Sequence, residues 1–417
     1  MRLIVQKYGG TSVANPERIR NVARRLIETQ REGCRVVAVI SAMAGVTDEL
    51  IRLAQEVAQN PTGRELDVLL ATGEHTATAL TAIAVNALGG RAISLTGAEA
   101  GILTDRVHTK AKIANITPRQ IQELLGDDYI VIVAGFQGQT PDGDTTTLGR
   151  GGSDLTAIAL AGALNADACQ IFTDVDGVFT CDPRVVADAK KLDEIAYDEL
   201  LEMAGAGSKV MQSRAVEFAK KFGIPFEVRS SFEAKAGTIA KEETPNMEDV
   251  VVRGVSTDRK QAKVTIAGVP DQPGIASRIF EAVSAANIIV DMIVQNISSD
   301  GTTDISFTIH ESELGQTERL LQPVVGEIGA VGLMARSGVA KLSVVGIGMR
   351  SHSGVAARLF DCLGKGGINI QLISTSDIKI AVIIDESELE RAAQLTHQTF
   401  GLARLAPSVG LAAATIS

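Results

Sequence analysis

Residues 2–13, RLIVQKYGGTSV, run from an apolar stretch into a lysine, an aromatic residue and two glycines. RLIVQ (2–6) reads as a strand, and glycines at a strand end let backbone amides turn toward a ligand. The next segment, NPERIRNVARRLIETQREG (15–33), is a helix with punctuation at both ends. Asn15 can cap it, Pro16 suits its first turn and Gly33 closes it. Ile19, Val22, Ala23, Leu26 and Ile27 share one face. VVAVI (36–40) then has the unbroken apolar character of a strand buried on both faces. This order puts the positive end of the helix beside the glycines, and Lys7 adds a mobile full charge, so the loop suits a phosphate. The pattern is not GxxxxGK[ST], hence not a P-loop, and a plain left-handed turn followed by a surface lysine would read the same way.

The same alternation continues through the strands YIVIVAG (129–135) and ACQIFTD (168–174) and the helical patterns HTATALTAIAVNALG (75–89) and SDLTAIALAGALN (153–165). Strand and helix in alternation predict an α/β domain over 1–245, a mainly parallel sheet with helices on both faces. The texture then becomes polar and turn-rich, and 246–262 is expected to be a linker. Beyond it the chain repeats itself. Residues 264–296 align with 342–376, matching Gly268 to Gly346, Gly274 to Gly354, Arg278 to Arg358 and Phe280 to Phe360. Two small α+β units, 263–335 and 336–417, are expected.

The composition narrows the function. Aromatic residues make up 3% with no tryptophan, which disfavours stacking platforms for nucleic acid. The net charge of −10 argues against polyphosphate backbones and anionic membrane surfaces. Cys34, Cys169, Cys181 and Cys362 form no CxxC, so a zinc cluster or disulfide framework is not expected. The chain opens directly on a strand with no leader, and no apolar run approaches the roughly 20 residues of a membrane span. The expected compartment is cytoplasmic.

Further candidate site residues lie in four stretches. TLGRGGSD (147–154) is a second glycine loop before a helix; Arg150 can clamp a carboxylate, Ser153 can cap the helix or touch a ligand, and Asp154 sits where the helix dipole favours an anion in any case. TDVDGVFTCDPR (173–184) puts Asp174 at a strand's carboxyl end, where open α/β sheets bind ligands, although a simple Asp-Gly turn has the same pattern. It lacks the further acidic positions of a calcium loop. GSKVMQSRAVEFAKKFGIP (207–225) reads as a helix with Lys209 in its first turn, and ATGEH (71–75) places Glu74 and His75 at a helix start. VVGIGMRS (344–351) lacks the third glycine of a dinucleotide fingerprint.

In order, KYGGTSV, SAMAGVTDEL, ATGEHTATAL, AGFQG, TLGRGGSDLTAIALAGAL, TDVDGVFTCDPR and GSKVMQSRAVEFA resemble the aspartate kinases of the amino-acid kinase family, and the repeats resemble tandem ACT domains with a ferredoxin-like α+β fold. The resemblance covers essentially the whole chain. It implies transfer of the γ-phosphoryl of ATP, with Mg²⁺ carried mostly by the phosphates, to the side-chain carboxylate of L-aspartate. On matching positions, Lys7, Asp154 and Lys209 would be catalytic. Lys7, Gly9, Gly10, Thr173, Asp174, Phe179, Arg184 and Lys209 would hold ATP, with the amides of Gly9 and Gly10 cradling phosphate. Ser41, Glu74, Arg150, Gly151, Gly152 and Ser153 would hold aspartate, and no protein metal ligand is assigned. One effector surface would use Asp271, Gly274, Ile275, Ala276, Ile289, Val290, Asp291 and Gln295; its partner surface would use Val355, Ala356, Asn369, Ile370, Ser376 and Asp377. Phe179 stands where the family often has tyrosine, Leu155 where it often has threonine, and Asp377 where it usually has glutamate. The resemblance further implies feedback by lysine, threonine or both. It also implies a homo-oligomer, or an α2β2 assembly whose smaller subunit starts internally near Met247. Kinases of glutamate, N-acetylglutamate or UMP seldom carry two ACT units, a non-catalytic sensor would not need Lys7, Asp154, Asp174 and Lys209, and no room is expected for a fused homoserine dehydrogenase.

Overall fold

The structure is a computed structural model and describes residues 1–205, 210–242, 251–297, 301–350 and 352–403. The described residues divide into two compact units: 1–178, 191–204 and 210–242 in the first, and 179–190, 205 and those from 251 onward in the second.

The first unit begins with β1 (Arg2–Tyr8), α1 (Pro16–Arg31), β2 (Cys34–Ile40), α2 (Val46–Val57), α3 (Arg64–Ala87) and β3 (Ala92–Leu95). Next come β4 (Ile102–Thr104), β5 (Ile113–Ile116), α4 (Arg119–Gly126), β6 (Ile130–Ala134), β7 (Gln137–Gln139) and β8 (Thr145–Thr147). It ends with α5 (Gly152–Ala163), β9 (Ala168–Thr173), β10 (Glu194–Ala196), α6 (Tyr197–Gly205), α7 (Ser213–Phe222), β11 (Phe226–Ser230) and β12 (Thr238–Lys241). Eight strands form one sheet in the order β10-β12-β11-β9-β1-β2-β6-β3, and every neighbouring pair except β11/β12 is parallel. β1 lies between β2 and β9, with Lys7 level with Val39 and Ile171. Alternate residues of β2 face opposite layers: Val36, Ala38 and Ile40 pack with α1 and α3, while α5 covers the other face. A small second sheet, β5-β4-β7-β8, lies to one side.

Local chemistry explains α1. The Asn15 side chain accepts from the Arg18 amide at 3.0 Å, Pro16 is the first helical residue, and Gly33 takes the left-handed conformation after the last turn. α3 differs from expectation. It starts at Arg64, so Glu74 and His75 sit in mid-helix. Gly73 does not break it; a Cβ there would lie 3.1 Å from the Ala42 side chain, and the glycine lets the Ala42 segment approach. By length and hydropathy α3 could cross a membrane, but half of that stretch is packed inside the unit, with Asp67 and Glu74 on its buried face.

The second unit contains β13 (Gly254–Pro270), α8 (Ile275–Ala285), β14 (Val290–Ile297), β15 (Thr302–His310), α9 (Leu314–Ile328), β16 (Gly332–Val345), α10 (Val355–Lys365), β17 (Leu372–Thr375), β18 (Lys379–Asp385) and α11 (Leu389–Thr399). Its sheet order is β14-β15-β13-β16-β18-β17. Two βαββαβ repeats are interleaved here. The later half of β13 pairs with β15 and with the early half of β16 to complete the first repeat. The late half of β16 pairs with β18, and the early half of β13, Gly254–Asp258, supplies the fourth strand of the second repeat. Residues 254–262, expected in a linker, are therefore strand. Their charged run Asp258-Arg259-Lys260 sits at a register irregularity between the two pairings.

The repeats share details beyond the matched glycines. Gly274 and Gly354 precede α8 and α10 with φ of 92° and 95°. Glu311-Ser312-Glu313 and Glu386-Ser387-Glu388 both form a 3₁₀ turn capped by the side chain of the preceding residue. Phe179–Lys190, expected in the kinase domain, groups with the second unit because Cys181, Val186 and Ala189 are buried with Leu342, Leu359 and Ile384 in the core of the second repeat.

Val255 is 1% exposed in that same core. Val255→Asp would bury an unpaired carboxylate, costing about 3–5 kcal/mol or forcing its protonation. Hydrogen exchange should show α10, β17 and β18 opening while α8 and α9 stay protected. Equal opening in both repeats would contradict this assignment of the strand.

Candidate active site

β1 is parallel to β2 and β9, so their carboxyl ends lie side by side. Lys7 reaches from β1 to Asp154 in the first turn of α5; Nζ to Oδ1 is 2.6 Å, and the side chains are 11% and 12% exposed. Of the two glycines beside it, Gly10 is required by space, while Gly9 has room for a Cβ. A Cβ on Gly9 would lie 3.4 Å from Lys7 Nζ, and one on Gly10 would lie 2.7 Å from the Ala42 carbonyl. The Gly9 amide, expected to face phosphate together with that of Gly10, donates instead to the Phe172 carbonyl at 3.2 Å, continuing the sheet.

The second glycine loop, residues 148–153, has Gly149 and Gly151 at φ of 78° and 72°. A Cβ on Gly151 would fall 1.9 Å from Gln212 Cγ, so only glycine fits beneath that side chain. Gly151 is the residue before α5, and Ser153, buried in the first turn, does not cap the helix. A Cβ on Gly135 would meet Ser153 Oγ at 2.7 Å. Arg150 is exposed on the loop.

Glu74 is buried beside the Ser41 loop. Its Oε1 accepts from the Ala42 amide at 3.1 Å, and among the described residues Oε2 has no hydrogen-bond partner. Burial pushes its carboxyl up to about 7, opposed by the Ala42 amide. A ligand cation would satisfy this oxygen. His75 bonds Gln137 Oε1 through Nε2 at 2.6 Å, so the ring is engaged in structure. Ser41 follows β2, its amide bonded to the Tyr8 carbonyl at 3.1 Å.

At the end of β9 the Thr173 hydroxyl donates to Asp174 at 3.1 Å, and the Thr173 carbonyl accepts from Ser231 at 2.8 Å. The first unit thus brings together Lys7, Gly9, Gly10, Ser41, Glu74, Arg150–Asp154, Thr173 and Asp174. Phe179 and Arg184 belong to the second unit, where Phe179 packs on the core of the second repeat and Arg184 pairs with Asp182 at 2.7 Å. Lys209 lies outside the described residues. α7 begins at Ser213, not before Lys209. Two positions had no readable signal. Phe136 has φ of 71° and its carbonyl holds the Leu148 amide at 2.8 Å. Arg214 donates to the carbonyls of Leu148 and Ala111 at 2.5 and 2.6 Å.

In the second unit, Asp271, Gly274, Ile275, Ala276 and Gln295 line one cavity of about 310 Å³. Ile289, Val290 and Asp291 do not line it: Ile289 is 79% exposed, and Asp291 pairs with the buried Lys341 of β16. Val355 and Ile370 pack into or against the core of the second repeat, as does Ala356. Asn369 follows α10, and the Ser376 amide bonds the Lys379 carbonyl in the turn that contains Asp377.

Two glycine loops, a lysine–carboxylate pair and an unsatisfied carboxylate meet at the carboxyl edge of a parallel sheet, an arrangement able to position and neutralise a phosphoryl group. Comparisons agree. Residues 2–230 match the amino acid kinase family, and 264–322 and 342–400 each match the ACT domain. An aspartate kinase of Pseudomonas fluorescens SBW25 is 52% identical over 405 residues, 96% of this chain and 98% of that protein. An aspartokinase of Mycobacterium tuberculosis H37Rv is 48% identical over 408 residues, 96% of this chain and 97% of that protein. Among solved structures, E. coli aspartokinase III in complex with aspartate and ADP matches with a TM-score of 0.78 at 27% identity, over 95% of this chain and 99% of that one. The chain belongs to the amino acid kinase family, as a phosphotransferase carrying tandem ACT domains.

Gly151→Ala should lower kcat/KM for the phosphoryl acceptor at least about fivefold, since a left-handed alanine costs roughly 1–3 kcal/mol before any clash. Adding Gln212→Ala should recover the part due to the clash and not the part due to φ. Steady-state kinetics of the two variants separate these terms.

Proposed function

We propose that the chain is an aspartate kinase, transferring the γ-phosphoryl of ATP to the side-chain carboxylate of L-aspartate to give 4-phospho-L-aspartate and ADP. The observation that carries this reading is the Lys7–Asp154 pair at the meeting of the glycine loops, with the unsatisfied oxygen of Glu74 nearby on α3. A carboxylate acceptor is already a nucleophile, so alignment and charge neutralisation suffice. Lys7 would stabilise the transferring phosphoryl group, with Asp154 holding the lysine in place. Lys209 is assigned the same duty on sequence alone. Glu74 would accept the substrate ammonium, and Arg150 a substrate carboxylate, beside Ser41, Gly151, Gly152 and Ser153. Thr173 and Asp174 would hold the nucleotide, and Phe179 and Arg184 remain candidates there on sequence alone. Mg²⁺ would arrive on the phosphates of ATP. When bound it supplies neutralisation of their charge.

This reaction is read as the entry step of lysine, threonine and methionine synthesis, restrained by lysine, threonine or both. Support comes from the cavity at Asp271 and Gly274, where the N-terminus of α8 faces an incoming carboxylate, and from E. coli aspartokinase III in complex with lysine and aspartate, matched with a TM-score of 0.78 at 26% identity. Exposed Ile293 on the edge strand β14 and Ile289 just before it support an oligomer, either of one chain or α2β2. Met247, the proposed internal start, lies outside the described residues. Four free, buried cysteines suit a reducing cytoplasm.

Acyl phosphate trapped with hydroxylamine should form only with ATP and aspartate present. Turnover with glutamate or UMP but not aspartate would overturn the substrate. Turnover that falls with lysine and threonine together would support feedback by both effectors. Lys7→Ala should cut kcat by about 10²–10³. The raised carboxyl of Glu74 sets a pH dependence. Below about 7 the free enzyme carries it protonated and unable to pair an ammonium. Aspartate KM should therefore rise up to about tenfold per pH unit below that point and level off above it. Glu74→Gln should flatten the profile while weakening binding at pH 8.

A further inference from the structure

α3 carries a second buried carboxylate, Asp67, seven residues before Glu74 and so on the same helix face. It is fully buried, and its oxygens collect donors from two separate segments. The Thr109 amide lies 3.0 Å from both oxygens, His108 Nδ1 lies 2.7 Å from Oδ2, and the Thr147 hydroxyl donates to Oδ1. Thr109 has φ of 66°, a conformation that costs a non-glycine residue about 1–3 kcal/mol and persists only where its surroundings impose it. Charge-assisted bonds to a buried carboxylate are strong enough to do so.

Both segments border the second glycine loop. Thr147 is the last residue of β8, directly before Leu148, and its carbonyl accepts from Ala111 at 2.9 Å. Gly149 passes so close to the His108–Thr109 turn that a Cβ on it would lie 3.3 Å from the Thr109 carbonyl. Arg214 completes the enclosure by bonding the carbonyls of Leu148 and Ala111. The loop that presents Arg150 therefore rests on a clamp whose centre is Asp67.

We propose that Asp67 is a positioning residue for acceptor binding: by gripping Thr109 and Thr147 it fixes the glycine loop in the register that aims Arg150 at the substrate carboxylate. The inference rests on the reading of Arg150 as an aspartate contact. An asparagine has the same shape but one acceptor oxygen, and its amide would face donors that have nowhere else to turn.

Asp67→Asn should raise aspartate KM about tenfold while kcat and the ATP KM stay within about twofold, because it disturbs binding that ground and transition states share. Thr147→Val should raise aspartate KM about threefold, and Thr147→Ser should restore it; this pair decides the matter if Asp67→Asn does not fold. Arg150→Ala is measured in parallel. If it raises aspartate KM while folded Asp67→Asn and Thr147→Val do not, the clamp is wrong and the site stands. If Arg150→Ala leaves aspartate KM unchanged, the reading of the site fails and takes the clamp with it. A loss of both KM values, kcat and Tm together in the Asp67 and Thr147 variants would make the cluster structural only and overturn the proposal.

Discussion

The ion pair between Lys7 and Asp154 joins the central strand β1 to the first turn of α5, and the rest of the kinase unit is arranged around it. Two charges this far from water are tolerated only with good geometry and a partner in reach. That requirement accounts for the neighbouring residues. Gly10, three residues after Lys7, lets the Ala42 segment approach, and Gly151, three residues before Asp154, lets the loop turn beneath Gln212. On the proposed reading, a phosphoryl group entering this corner would meet a cation already held in place, so less reorganisation would be needed when charge develops.

The regulatory unit obeys a different constraint. Its two long strands, β13 and β16, each serve both repeats, so neither repeat has a sheet wholly its own. The matched glycines before α8 and α10 give the two halves the same helix-entry geometry. Their surroundings differ, however: a cavity opens at Asp271 in the first, while Val355 is buried in the core of the second.

Features encoded over a few residues were legible in the sequence. Asn15, Pro16 and Gly33 bound α1 through local hydrogen bonds and φ, and the apolar runs of β1, β2, β6 and β9 mark strands covered on both faces. The order of the glycine loops was enough to point to the family. What escaped was set by distant partners. Asp258-Arg259-Lys260 looks like linker because nothing nearby reveals that Val255 pairs with Val344. Phe179–Lys190 reads as kinase because its apolar residues find their core far along the chain. The Gly9 amide looked available because its acceptor, Phe172, is on another strand. Asp67 carries no motif at all; only the fold gathers His108, Thr109 and Thr147 around it.

The interleaving of the repeats also governs how the regulatory half can assemble. The first repeat closes from consecutive segments, β13 through β16, and can form early. The second cannot seal its sheet until Gly254–Asp258, separated from its partner by the whole of the first repeat, returns to lie beside Lys341–Val345. Long loop closure of this kind is slow, and it becomes shorter once the intervening chain has compacted. The first repeat thus acts as a spacer that brings the ends of the second together, and a lesion in its core would delay the folding of a module it does not belong to.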